Sequence, residues 1–181
     1  MEAKRPFKET TLVTDLAKLQ FLIKSVKESF GRDFTCKLLY RASRDGWQTT
    51  DFHRLCDEKG PTVVIVKVSN GRLCGGYCSI GWKSSGNWQH DNNSFVFSLD
   101  SLKKYNESQE GHSGHVYWNS SYGPDFGYNN SLLLYPSPMN QANQSYCRIN
   151  SPSLTVPGDS QGLSELTGMK NNFTCADFEV F

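Results

Sequence analysis

Residues 62–69, TVVIVKVS, are almost continuously apolar and rich in β-branched side chains. Such a run is typical of a central strand that is covered on both faces of its sheet. Asn70-Gly71 follows directly and is the strongest short hairpin signal in the chain. The next segment, RLCGGYCSI, holds two adjacent glycines, which indicate a bulge or a close approach of neighbouring backbone. The pattern therefore predicts an antiparallel strand pair at the centre of a sheet.

Further strand patterns occur on both sides of this pair, and we predict strands at residues 35–43, 95–99, 115–119, 131–135, 145–149 and 175–181. Residues 81–93, 100–114 and 150–171 are mostly polar and are predicted as loops, with one helical turn in LSELTG. At least seven strands with hairpin signals predict a mostly β fold with flanking helices, arranged as a two-layer antiparallel β-sandwich.

Two helices are predicted outside the sheets. The first covers residues 11–30 and ends at Gly31, and the second begins at Thr49 or Thr50 and ends before Gly60-Pro61. The apolar side chains of the first helix recur at intervals of three and four residues: Leu12, Leu16, Leu19, Ile23, Val26 and Phe30. We expect this face to pack against the domain.

Charge and hydropathy limit the possible partners. The 181 residues include 19 basic and 18 acidic side chains, a net charge of +1, so no overall field favours nucleic acid. No apolar run approaches the ~18–20 residues of a membrane span, so no membrane insertion is expected. The first residues carry charges without a following apolar stretch and therefore do not resemble a secretory signal. We expect a cytoplasmic location; the oligomeric state stays open.

The six cysteines are scattered through apolar strand patterns and are expected to be free thiols. On one strand, Cys74 and Cys78 would share a face about 13 Å apart, whereas a disulfide needs Cα atoms within about 7 Å. A redox-active or hydrolytic enzyme is one alternative function. It would require a cysteine such as Cys56 or Cys74 with a depressed pKa, or a cleft where histidine and cysteine converge.

Other catalytic and binding motifs are weak. Residues 81–86, GWKSSG, lack the G-x-S-x-G spacing of a nucleophile elbow. His112-x2-His115 with His90-Asp91 offers zinc-ligand types, but the spacing matches no specific site. No phosphate-binding glycine loop occurs. We therefore predict no catalytic residues, no metal and no cofactor.

Two groups of residues leave a binding role open. The aromatic residues Trp82, Trp88, Tyr117 and Trp118 could line a sugar-binding face. Arg41, Arg44 and Asp45 lie at the end of a predicted strand and in its turn. An Arg–Asp pair there either holds the turn or contacts a partner, and both interpretations remain open.

One ordered set of motifs resembles the TLDc domain family: LLYRASRDGW, FHRLCDEKGPTVVIVK, GRLCGGYCSIGW, SFVFSL, YGPDFG, LTG and DFEVF. The resemblance covers residues 34–181, after a leader and lead-in helix at 1–33. It implies two packed antiparallel sheets with flanking helices, oxidative-stress resistance, and binding to the vacuolar proton-pumping ATPase. No accepted catalytic residue set comes with it.

The residues that match the family's motifs are Tyr40, Arg41, Ser43, Arg44, Asp45, Gly46, Gly60, Pro61, Gly75, Gly76, Phe95, Phe97 and Glu179. We expect the glycine pair to allow close packing and the phenylalanines to lie in the core. The candidates for partner contact are Arg44, Asp45 and Glu179.

The chain departs from the family's pattern at residues 100–121 and 137–165. The segment GGYCSIGWKSS resembles the branch found in multi-domain and protist or invertebrate proteins. The predicted function is a non-enzymatic adaptor or regulator that binds the proton pump. A structural component of a larger assembly is a further alternative.

Overall fold

The computed structural model describes residues 6–106, 115–127, 131–135, 144–148 and 156–181. In chain order the elements are α1 (Leu16–Phe30), β1 (Tyr40–Arg41), α2 (Ala42–Asp45), α3 (Thr49–Cys56), β2 (Thr62–Val68), β3 (Leu73–Cys78), β4 (Asn87–His90), β5 (Phe95–Ser98), β6 (Lys103–Asn106), β7 (His115–Trp118), β8 (Asp125–Phe126), β9 (Leu132–Leu133), β10 (Ser145–Tyr146), β11 (Asn172–Phe173) and β12 (Cys175–Val180). Within these ranges, no helix is both long and apolar enough to cross a bilayer.

The strands of the described ranges form two six-stranded sheets. The first sheet has the order β1-β12-β2-β3-β5-β6, and the second has the order β11-β10-β9-β8-β7-β4. Neighbouring strands are antiparallel in both sheets. The predicted mostly β sandwich is therefore confirmed, with β2 and β3 at the centre of the first sheet.

Strand β2 is covered on both faces, as its continuous apolar run predicts. Val64, Val66 and Val68 belong to the main core between the sheets. Val63 and Ile65 belong to a second apolar cluster that includes residues of α1. Since successive strand residues point to opposite faces, one strand supplies side chains to both layers.

The two adjacent glycines of β3 allow close packing, as predicted. A Cβ at Gly76 would lie 2.7 Å from the ring of Phe126 in the second sheet. A Cβ at Gly75 would overlap the carbonyl oxygen of Val64 and lie 2.7 Å from the ring of Phe97. The glycine pair therefore sets the distance between β3 and these neighbours, because no larger side chain fits at either position.

The lead-in helix begins later than predicted, because Asp15 is its N-cap and accepts from the backbone N–H of Lys18 at 3.0 Å. Gly31, with φ +78°, ends the helix as predicted. The predicted apolar face is partly wrong: Leu16 is 63% exposed, whereas Leu22 is fully buried. The residues before the helix contribute Phe7 and Val13 to the same apolar cluster.

Several predicted boundaries change in the structure. The predicted strand at 35–43 shortens to β1, because residues 42–45 form the one-turn helix α2. The predicted loops at 81–93 and 100–114 contain β4 and β6, and residues 107–114 lie outside the described ranges. Trp82 is buried, and its Nε1 donates to Thr62 Oγ1 at 2.9 Å. An indole with a buried N–H partner belongs in the core although its neighbours in sequence are polar.

Candidate partner-binding site

The candidate residues meet where the first and last strands of the first sheet pair. We call this region the β1–α2 corner, defined as residues 40–45 together with Asp177 and Glu179 of β12. Tyr40 fixes the corner from the inside: its hydroxyl donates to the Gly46 carbonyl at 2.6 Å, and its ring lies 4.9 Å from that of Phe178. The corner is therefore anchored to the main core.

Arg44 and Asp45 form a paired charge on the outside of the corner. The Arg44 guanidinium donates twice to the Asp45 carboxylate, from Nε at 2.9 Å and from Nη2 at 2.8 Å. Asp45 also accepts from the backbone N–H of Arg41 at 2.8 Å. The hydrogen bond from Arg44 lowers the pKa of Asp45, so the pair is ionised at neutral pH. The Arg44 side chain remains 46% exposed and is accessible to another protein.

Glu179 occupies the inside of the same corner. Its side chain is fully buried and accepts from Arg41 Nε at 2.9 Å. It also accepts from the Thr10 hydroxyl at 2.5 Å, the Thr11 N–H at 2.9 Å and the Thr11 hydroxyl at 3.1 Å. A partner would reach this carboxylate only after displacing the two threonines. Partner contact by Glu179 stays a prediction, while its observed contacts hold the lead segment against the sheet.

A second carboxylate of β12 ties α2 to the sheet. Asp177 accepts from the Ser43 N–H at 3.0 Å and from its hydroxyl at 2.6 Å. Asp177 and Glu179 lie on one face of β12, opposite Phe178 and Val180, which belong to the main core. The contributions of Ser43 and the two threonines were not foreseen, because polar residues in a leader or a turn carry no periodic signal.

The six cysteines do not provide a reactive thiolate. All six are free, and five are buried. Burial raises the pKa of every one of them: Cys36, Cys56, Cys74, Cys78, Cys147 and Cys175. A nucleophilic or redox-active cysteine requires the opposite shift. The depressed thiol pKa that would support the redox-active or hydrolytic alternative is therefore not found in these six cysteines.

One Ser–His–Asp cluster, unforeseen from the sequence, lies between α3 and the segment after β3. His53 Nδ1 lies 2.8 Å from Asp57 Oδ1 and 3.2 Å from Ser84 Oγ, and Ser84 donates to Asp57 Oδ2 at 2.7 Å. His53 Nε2 lies 2.8 Å from the Tyr122 carbonyl oxygen. In a catalytic triad the serine and the carboxylate use opposite ring nitrogens. Here they share one nitrogen, so the cluster joins segments and does not activate the serine.

The structure separates the four aromatic residues considered for a sugar face. Trp82 is in the core, and Trp118 Nε1 donates to the Gly81 carbonyl at 2.8 Å. Trp88 and Tyr117 stack on each other across β4 and β7, with ring centroids 4.6 Å apart. The four residues therefore do not form one sugar-binding face.

Only part of the histidine–aspartate pattern considered for zinc lies within the described residues. His112 and the side chain of His115 lie outside the described residues. Asp91 is buried and accepts from the Ser79 N–H at 2.6 Å and from the Ser79 hydroxyl. Through these contacts Asp91 holds the turn after β4 against Ser79, the residue that follows β3.

The fold and the corner together define a two-sheet antiparallel sandwich whose first and last strands build one charged site. The TLDc domain profile matches residues 7–181, and the chain belongs to the TLDc family. This match includes the lead-in helix that packs on the first sheet.

A named relative is the mTOR-associated protein MEAK7 of Danio rerio, which is 30% identical over 94 residues. The aligned region covers 52% of this chain and 20% of the relative, so the similarity spans about a fifth of that protein.

Proposed function

We propose that this chain is a protein-interaction domain that acts as an adaptor or regulator and docks on its partner through the β1–α2 corner. The leading partner is the vacuolar proton-pumping ATPase, to which the family resemblance points. Membership of the TLDc family supports a regulatory role. The relative MEAK7 is an mTOR-associated protein, which is in line with a protein partner.

The observation that carries the proposal is the exposed Arg44–Asp45 pair on a rigid support. Arg44 is oriented by two hydrogen bonds to Asp45, and Asp45 is itself held by the backbone of β1. A side chain that is already oriented loses less conformational freedom on binding. Charges placed in this way contribute mainly to partner selection and association rate.

The proposal extends to the cellular setting. A regulator of a proton pump that faces the cytoplasm would itself be cytoplasmic. The link of the family to oxidative-stress resistance would then follow from regulation of the partner, because the thiols of this chain are buried or half-buried and have raised pKa values.

Retrieval of pump subunits from a cell extract tests the proposal. We expect tagged protein to retrieve them and Arg44→Glu to retrieve fewer. Lys170→Glu is the matched control, because Lys170 is exposed and lies outside the corner. If the unaltered chain retrieves no pump subunits while another TLDc domain does, this partner is wrong. A change in pumping rate on binding would separate a regulator from a purely structural component.

A further inference from the structure

A cavity of about 280 Å³ lies between α1 and the first sheet, apart from the β1–α2 corner. Its apolar wall is built by Val26 and Phe30 of α1, Val63 of β2, and by Phe34, Leu39 and Phe181. Small-molecule sites commonly measure ~300–1,000 Å³ and are mostly apolar with few polar groups. This cavity is therefore suited to a small ligand with an apolar body.

One polar group of the wall has no hydrogen-bond partner among the described residues. It is the hydroxyl of Tyr77, which lines the cavity and is 2% exposed. Buried hydroxyls almost always make a hydrogen bond, because an unmade one is destabilising. Burial raises the pKa of Tyr77 to about 12, so the hydroxyl keeps its proton and is a donor at neutral pH. A ligand with an acceptor atom would supply the missing partner.

The charged side chains of the lining are both basic. Lys37 and Lys59 both line the cavity and are exposed. Neither makes an ion pair within the described part of the chain. No acidic side chain lines the cavity within the described residues. Of the acidic side chains near it, Asp33 pairs with Lys27 at 2.6 Å, and Glu9 accepts from the Leu38 N–H at 3.2 Å and keeps its negative charge. The two lysines of the lining itself favour an anion.

We propose that this cavity binds a small amphipathic carboxylate of the fatty-acid type. The aliphatic body packs against the wall formed by Val26, Phe30 and Val63. The carboxylate lies between Lys37 and Lys59, and the Tyr77 hydroxyl donates to the ligand. The inference is independent of the proposed partner, because the cavity lining shares no residue with the β1–α2 corner and binding needs only this chain.

Calorimetric titration of the purified full chain with decanoate, below its micelle concentration, tests the site. The matched probes are 1-decanol, which has no charge, and decyltrimethylammonium, which has the opposite charge. We expect decanoate to bind roughly tenfold more tightly than decanol, the size of one lost charge-assisted hydrogen bond. We expect the cation to bind least. No binding of decanoate, or equal binding of decanol, overturns the proposal.

Variants locate the binding. Double charge reversal, Lys37→Glu with Lys59→Glu, should weaken decanoate binding by about tenfold or more and leave decanol unchanged. Lys170→Glu should change neither, and Thr35→Trp, at an exposed lining position, should weaken both ligands by filling the cavity. If the double reversal leaves decanoate binding intact, the site is elsewhere and the proposal is wrong.

Tyr77→Phe separates a ligand donor from a structural role. The substitution removes a hydroxyl that has no partner in the free protein, so Tm should stay constant or rise. Decanoate affinity should nevertheless fall roughly tenfold. Unchanged affinity removes Tyr77 from the site. A fall in Tm would show that the hydroxyl already has a partner, and would equally contradict this assignment.

Discussion

Arg41 and Glu179 lie directly opposite each other on β1 and β12, and Arg41 Nε donates to Glu179 Oε1 at 2.9 Å. The same carboxylate accepts from Thr10 and Thr11, and Arg41 Nη2 donates to the Glu9 carbonyl at 2.8 Å. One buried acidic group therefore joins the lead segment, the first strand and the last strand. The exposed part of the corner rests on this buried pair.

Replacing Glu179 by glutamine should destabilise the fold by about 3 kcal/mol, because it removes one partner of a buried ion pair. This loss is at the low end of the ~3–5 kcal/mol expected when a buried ion pair is broken, because the Arg41 side chain is 17% exposed and keeps some contact with water. Denaturant unfolding measures the change. Glu58→Gln is the control, since Glu58 is exposed. Equal stability of both variants would show that the corner does not depend on Glu179.

Replacing Arg44 by alanine should cost only ~0–1 kcal/mol at neutral pH, because the pair is exposed. The hydrogen bond from Arg44 lowers the pKa of Asp45 in the folded state from its usual 3.8. This contribution is therefore present above pH 3.8 and is lost as pH falls through the lowered pKa. Denaturant unfolding of both proteins across the acid range should show the two stabilities converging there. A difference that grows on acidification would contradict the pairing.

The pKa of Asp125 is shifted in the opposite direction to that of Asp45. Asp125 is buried, its Oδ1 has no hydrogen-bond partner in the described part of the chain, and burial raises its pKa well above 3.8. A raised carboxyl pKa costs stability above pH 3.8 and costs nothing below it. Asp125→Asn should therefore stabilise the protein at pH 7 more than at pH 3. Thermal unfolding at pH 7 and pH 3 checks this, and a gain of equal size at both values would refute it.

The six thiols should react slowly with a chromogenic disulfide reagent at neutral pH and quickly after unfolding. Cys36 should react first because it is half-buried, whereas the other five are buried. Its own pKa is raised by burial, so even this thiol should be slower than a free cysteine. Mass spectrometry of the labelled peptides identifies the order. A single cysteine that reacts faster in the folded protein than in the unfolded chain would contradict this prediction and favour a redox-active or hydrolytic enzyme.

The central strands were predictable because their signal is local. The continuous apolar run of β2, the Asn70-Gly71 turn and the glycine pair of β3 each report their surroundings without reference to distant residues. Such patterns are set by the period of the backbone, so a single sequence reveals them.

The contacts of Glu179 with the lead segment and of Ser84 with His53 were not predictable, because they join distant residues. Thr10 and Glu179 are 169 positions apart, and His53 and Ser84 are 31 positions apart. The burial of Trp82 likewise depends on tertiary packing. The match to the family's motifs made Glu179 a candidate for partner contact. Only the fold shows that Thr10 and Thr11 of the same chain already donate hydrogen bonds to its carboxylate.

The most direct test of docking through the β1–α2 corner is the affinity of the purified chain for the purified vacuolar proton-pumping ATPase. Unaltered protein, Arg44→Glu and Lys170→Glu should be compared by biolayer interferometry, with Tm recorded for each. We expect Arg44→Glu to bind about tenfold more weakly, and we expect the control to match the unaltered protein at similar Tm. Undetectable binding of the unaltered chain, or equal affinity of Arg44→Glu, would contradict docking at the corner.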